Sequence, residues 1–296
     1  MNPSAGTTGP QGNTGATGPT GTQGLPGNDG AKGDQGDPGP AGTDGAKGDQ
    51  GEKGDKGDLG EKGDAGVDAE SPARVIWVAD DGTGDFTLLS AALASITDAT
   101  AAKPYVIRIA PGVYTETSVV ALKDHVDVEG SGQDVTELTC ACGTVGSPSA
   151  AITAGNITAE LRQITITNTG GRTYATGINT NDVSNGSLML NNVTATATGS
   201  SVNYGVYNQS SSSPTMNNVT ATATGGTNSY GVYNFTSSPT IRNSALTGSS
   251  NSIFNGGTAP SAKVADTVLD GVAFGAGFTC VGVYTTAFVA LSATCS

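Results

Sequence analysis

The sequence is poor in the side chains that usually carry chemistry. A single histidine, His125, leaves no second imidazole for a metal, and no C-x-x-C is paired with a second ligand pair. Neither a zinc site nor any other metal or cofactor is therefore expected. Only 13 basic residues stand against 26 acidic ones, a net charge of −13, which argues against nucleic acid as a partner. No apolar run approaches the roughly 18 residues of a membrane span. Met1–Ala5 shows neither the basic nor the apolar region of a secretory signal, so none is expected in this numbering.

What is present is glycine. From Gly6 to Gly66 it occupies every third position without a miss. Three polyproline-II chains wound on one axis leave room there for hydrogen alone, and a single chain has no reason to keep that period. Residues 6–68 are therefore read as a collagen-like triple-helical stalk, which implies a homotrimer. Only Pro10, Pro19, Pro26, Pro38 and Pro40 restrain φ within it. Lys-Gly-Asp recurs at Lys32–Asp34, Lys47–Asp49, Lys53–Asp55, Lys56–Asp58 and Lys62–Asp64. Such pairs can bridge neighbouring strands, each for a few tenths of a kcal/mol, and three chains make them a network.

The remaining boundaries follow from composition. Residues 1–5 form a short tail, 69–73 a hinge where Ala69 replaces the next glycine, and 74–296 a second domain. All four cysteines lie in that domain, and an even count in an acidic, Thr/Ser/Asn-rich chain leans toward an oxidising compartment. Cys280 and Cys295 are expected to close a C-terminal loop. For Cys140 and Cys142, two positions apart, a local disulfide and two free thiols both fit.

The second domain opens on an apolar strand, Val75–Val78. Phe86, Leu89, Leu93 and Ile96 then make one helical stripe, with Thr87 as its expected N-cap. Short strands are predicted at Tyr105–Ile109, Ser118–Leu122, Val126–Val128 and Val135–Thr139. A lone amphipathic helix before an all-β pattern suits a cap over an open core.

These residues carry a resemblance. Val78-Ala79-Asp80-Asp81-Gly82-Thr83-Gly84-Asp85-Phe86-Thr87, Tyr105–Ile109, Gly112-Val113-Tyr114-Thr115-Glu116 and Gly130-Ser131-Gly132-Gln133-Asp134 together resemble the opening of pectin methylesterases. Ile152–Gly155 and Leu161–Gly171 are similar to the family's next segment. The resemblance implies an all-β fold: a single-stranded, right-handed parallel β-helix with a short N-terminal capping helix. It also implies an esterase that uses a carboxylate nucleophile, a second aspartate as acid/base and glutamines at the oxyanion.

Those groups are missing from the places the resemblance assigns them. The first glutamine belongs near Thr173-Tyr174-Ala175, where there is none. Asp182 is the only acid between Glu160 and Asp266, and Gln163 and Gln209 are the only glutamines after Gln133. Two neighbouring carboxylates cannot be assembled from that inventory. No catalytic residue is assigned, and the domain is expected not to be an enzyme.

A repeat takes the place of the catalytic half. Asn191–Gly199 returns at Asn217–Gly225, and Tyr204–Asn208 at Tyr230–Asn234, each 26 residues on. A period in the twenties with short β segments means one solenoid coil per repeat. Two strands per coil are visible. In the first, Val193, Ala195 and Ala197 point in, while Thr194 and Thr196, then Thr220 and Thr222, point out. In the second, Val206, Val232 and Ile253 point in and Tyr207, Tyr233 and Phe254 point out. Asn208, Asn234 and Asn255 follow at the turn, where a stacked amide ladder would satisfy them.

The threonines suit any exposed pleated face, or, as a lesser alternative, a water-ordering array of the ice-binding kind. The outward rings suit packing between coils, packing between subunits or a sugar-stacking strip. The expected function is a non-enzymatic, trimeric extracellular fibre or surface protein, of cell or virion, for adhesion or carbohydrate binding. A carbohydrate-active, pectinesterase-like enzyme is the alternative.

Overall fold

The computed structural model describes residues 74–143, 145, 150–181 and 186–296; the stalk, the hinge and Asp182 lie outside the described residues. The chain divides into two units, Met1–Glu70 and Ser71–Ser296.

The second unit is a right-handed parallel β-helix. Its strands form a 14-stranded and a seven-stranded sheet, and the strand pairings within both are parallel. Parallel neighbours cannot be joined by a hairpin, so each coil must travel round a core before it meets the previous one. The core is a set of stacked apolar columns. One runs Ile107, Val128, Leu161, Leu190, Met216, Ile241 and Val264, all at most 2% exposed. Another runs Ile152, Ile178, Val206, Val232 and Ile253, all fully buried. Each such side chain contributes roughly 1.5–3 kcal/mol over its exposed state.

The coils have three strands, not the two read from the repeat. The strands Ala159–Asn168, Leu188–Ala197 and Thr215–Ala223 each bend at one residue, Gln163, Asn192 or Asn218, with φ of +58°, +53° and +56°. Asn243 and Asp266, at +47°, repeat the corner in the next coils. Asparagine tolerates this left-handed conformation better than most residues. The corner splits the larger sheet into two faces, and the segments before it, such as Thr240–Arg242, form the third strand of each coil.

A short helix, Leu89–Ser95, closes the first coil with Leu89, Ala92 and Leu93 buried. Thr87 does not cap it. Leu88 holds the N-cap position in extended conformation and makes no side-chain cap. Glu116 supplies the cap instead: its buried carboxylate accepts the Ser90 N–H at 3.0 Å and the Ser90 hydroxyl at 2.6 Å. The acid of the Gly-Val-Tyr-Thr-Glu segment is thus held by the helix terminus, where negative charge is favoured.

At the other end, Cys280–Cys295 is a disulfide, with both residues at most 5% exposed. It ties the terminal segment to the strand Phe278–Val281, which pairs with Ala262–Ala265 in the larger sheet. Cys140 and Cys142 are also paired. Among the described residues no helix is long and apolar enough to cross a membrane.

Candidate functional site

The two sheets differ in one chemical respect. The seven strands of the smaller sheet, including Tyr174–Asn181, Val202–Gln209, Asn228–Phe235, Asn251–Gly256 and Ala273–Phe274, contain no charged residue. Every charged side chain in a named strand belongs to the larger sheet. In a chain of net charge −13 this leaves one uncharged face.

That face carries an aromatic ladder. Tyr207, Tyr233 and Phe254 are aligned by register and lie opposite the buried Val206, Val232 and Ile253. Tyr204, Tyr230 and Phe274 join them. Along the ladder Tyr204 stacks on Tyr207 at 4.9 Å, Tyr233 on Phe254 at 4.6 Å and Phe254 on Phe274 at 5.4 Å. Tyr207 meets Tyr233 edge-on at 5.4 Å. Faces therefore turn toward neighbouring rings, which is the favourable arrangement for aromatic pairs. Other rings meet edge to face, and a sugar needs a free face. Burial pushes the Tyr204, Tyr207 and Tyr233 hydroxyls above their ordinary range, Tyr204 furthest, with Tyr233 adding to it.

Tyr204 and Tyr230 escape a period-two reading, which places them inside with Val206 and Val232. The cause is glycine. Gly205 and Gly231 sit between the tyrosine and the valine, and Gly177 precedes them in the same column. A Cβ on Gly205 would lie 2.6 Å from the Gly231 carbonyl oxygen and 2.9 Å from the Thr222 nitrogen, both backbone. The strand bulges inward there, so the outward tyrosines fall three apart instead of two. A strand-interior glycine repeated in both copies is the signal that marks it.

Inside the same strands an amide ladder runs along the coils. Thr180 donates to Asn208 Oδ1 at 2.7 Å, Asn208 to Asn234 at 2.8 Å, Asn234 to Asn255 at 2.8 Å, and Asn255 to the Ala276 carbonyl at 2.9 Å. Asn208 and Asn234 are fully buried. An unpartnered amide there would cost its full desolvation, and stacking satisfies each one.

Thr194, Thr196, Thr220 and Thr222 stand on the second face of the larger sheet. The register runs Thr139, Thr167, Thr196, Thr222, Thr247 in one column and Thr165, Thr194, Thr220 beside it. Polar neighbours cover its N-terminal part. Gln133 donates to Thr194 Oγ1 at 3.2 Å, the Asp134 N–H to Thr165 at 3.2 Å, and Thr167 donates to Glu137 at 2.7 Å. The structure thus brings the threonines together on one face and the rings together on another.

Among the described residues, carboxylates converge on an arginine. Arg162 lies 3.1 Å from Glu129, 2.5 Å from Glu160 and 3.8 Å from Asp127. Burial opposes its charge, but Glu160 and Glu129 hold the guanidinium above its ordinary value. Arg108 pairs with the same Glu129 at 3.4 Å and lies over the Trp77 ring. This polar ladder fills the outer side of the first coils. Thr173-Tyr174-Ala175 enters the uncharged sheet at the strand Tyr174–Asn181. Among the described residues no group of three metal-ligating side chains is found.

The fold and faces define a class: a Gly-X-Y segment followed by a parallel β-helix domain. The family model described as collagen triple helix repeat, in 20 copies, matches residues 4–71, and the pectinesterase model matches residues 75–197. The chain is a collagen-like segment joined to a β-helix whose first coils resemble pectin methylesterases. The match runs past Gly171 to Ala197, the last residue of the strand Leu188–Ala197.

Among solved structures the pectin methylesterase from carrot is similar at 17% identity and a TM-score of 0.44, over 71% of this chain and 80% of that one. The enzyme from Aspergillus niger, in penultimately deglycosylated form, gives 13%, 0.47, 76% and 93%. Geobacillus virus E2 ORF18 gives 12%, 0.44, 66% and 41%. No curated protein matches the chain.

Proposed function

We propose that the protein is a non-enzymatic, trimeric fibre or surface protein of an extracellular, cell-surface or virion setting, in which a collagen-like segment gathers three β-helix domains for adhesion. One observation carries this reading. An unbroken Gly-X-Y run, useful only to three chains, is joined to a coil repeat that has aromatics and amides where the resemblance calls for catalytic carboxylates. Two disulfides support an oxidising setting. The Arg162 cluster does not replace the missing pair, because Glu129 and Glu160 are engaged in ion pairs with the guanidinium.

The ligand is a macromolecular surface. The ladder's rings are turned against each other, which disfavours stacking a saccharide along its length. The test is an assay of methanol release from methylated pectin beside a pull-down on intact cell-wall polysaccharide. Binding without methanol is expected, and methanol release would establish a pectinesterase-type enzyme instead.

A further inference from the structure

The geometry points to the uncharged face of the smaller sheet as the place where β-helix domains of this chain meet one another. This rests on the trimeric reading above, and it names the surface and the partner: a second and third copy of the same domain.

Charge is the first argument. Three bodies that each carry excess negative charge repel at close range, and like charges brought together cost several kcal/mol. The smaller sheet is the one surface of the coil whose strands bring no charge. An acidic polysaccharide would need cations there, and these strands supply none.

Chemistry is the second. The ladder is more covered at its first coil than at its last: Tyr204 is 8% exposed and Phe274 57%. Phe235, 44% exposed, stands two residues beyond Tyr233 on a middle strand, in register with Gln209 and Gly256, so exposed rings stand at the last coil and beside the ladder. Mutually packed rings with exposed phenylalanines suit another protein surface better than a sugar, because aromatics are enriched at the centres of protein interfaces.

Size and tethering are the third. Five strands about 4.8 Å apart and up to about 26 Å long make a face on the order of 500 Å². That is short of the roughly 800 Å² each partner gives a standard interface between free proteins. Copies already joined through a Gly-X-Y segment meet at high effective concentration, so a smaller face suffices.

The test is photo-cross-linking of the full chain, with p-benzoylphenylalanine placed at Phe235 and, in a second variant, at Phe274. Both positions are exposed, so the larger ring leaves the core untouched. The control places it at Thr222, on the threonine face. Irradiation of the purified protein should give covalent dimers and trimers from Phe235 or Phe274 and monomers from Thr222. A chain that sediments as a trimer yet yields only monomers from both positions overturns the inference and leaves the trimeric reading standing. Equal cross-linking from Thr222 overturns it too. A chain that sediments as a monomer removes the trimeric reading and this inference with it.

Discussion

The Asn208 side chain donates to Asn234 Oδ1 at 2.8 Å inside the coil, and both residues are fully buried. Asn234 in turn donates to Asn255 at 2.8 Å, so each amide depends on the coils above and below. Asn234→Ala leaves an unpaired donor on Asn208 and an unpaired acceptor on Asn255. At about 1–3 kcal/mol for each buried orphan, the domain should lose roughly 2–5 kcal/mol. Thermal unfolding followed by far-ultraviolet circular dichroism reads this. A loss under about 1 kcal/mol would mean the ladder is dispensable.

Gly205→Ala tests the bulge that throws the tyrosines outward. Its Cβ would meet two backbone atoms that no rotamer change can move aside. The expected loss is about 1–3 kcal/mol or more. Gly155→Ala, where a Cβ meets nothing within 4 Å, should stay within about 0.5 kcal/mol of the parent. Similar effects at the two sites would contradict the packing described.

The tyrosine ladder sets an alkaline limit. Burial raises the Tyr204, Tyr207 and Tyr233 hydroxyls above the ordinary value of 10.0. The folded domain therefore keeps protons that the unfolded chain has lost. Stability is complete below about pH 10 and falls as pH rises beyond it, because the unfolded state then binds fewer protons. Tyrosinate absorbance should lag in the folded protein and rise together with loss of the β signal. Substituting phenylalanine at these three positions should carry the unfolding midpoint to higher pH. Independent titration of all tyrosines near pH 10 without unfolding is the contrary result.

Much of this was legible in the sequence because the fold repeats it. A glycine every third residue and a 26-residue return of Asn-Asn-Val-Thr-Ala-Thr expose a stalk and a solenoid without any tertiary knowledge. The threonine columns and the inner asparagines follow from alternation once the period is known. Four features did not follow. The third strand is hidden because Asn192 turns the corner inside an uninterrupted strand, and a left-handed φ leaves no mark but the asparagine itself. Strict alternation would put Tyr204 and Tyr230 inside, but Gly205 and Gly231 break it. Glu116 was read only as part of a motif, because the helix it caps lies 26 residues away in sequence. The uncharged sheet emerges only after strands are assigned to sheets, for its neighbours are separated by a full coil.

The C-terminal disulfide should matter more than the local one. Cys280 and Cys295 are 15 residues apart, and their bridge is worth about 3 kcal/mol in the chain-entropy model. Cys280→Ser with Cys295→Ser should lower the unfolding temperature and open the last coil to proteases. Serine at Cys140 and Cys142, only 2 apart, should change stability less. The reverse order would contradict a closing role for the terminal bridge.

The central claim is that three chains act as one molecule. Sedimentation equilibrium of the full chain at low temperature measures this directly. The account predicts a single species of three times the 29.1 kDa chain mass, with a collagen-type circular dichroism signal that melts separately from the β-helix. A 29.1 kDa monomer with an intact β-helix and no collagen signal would contradict it.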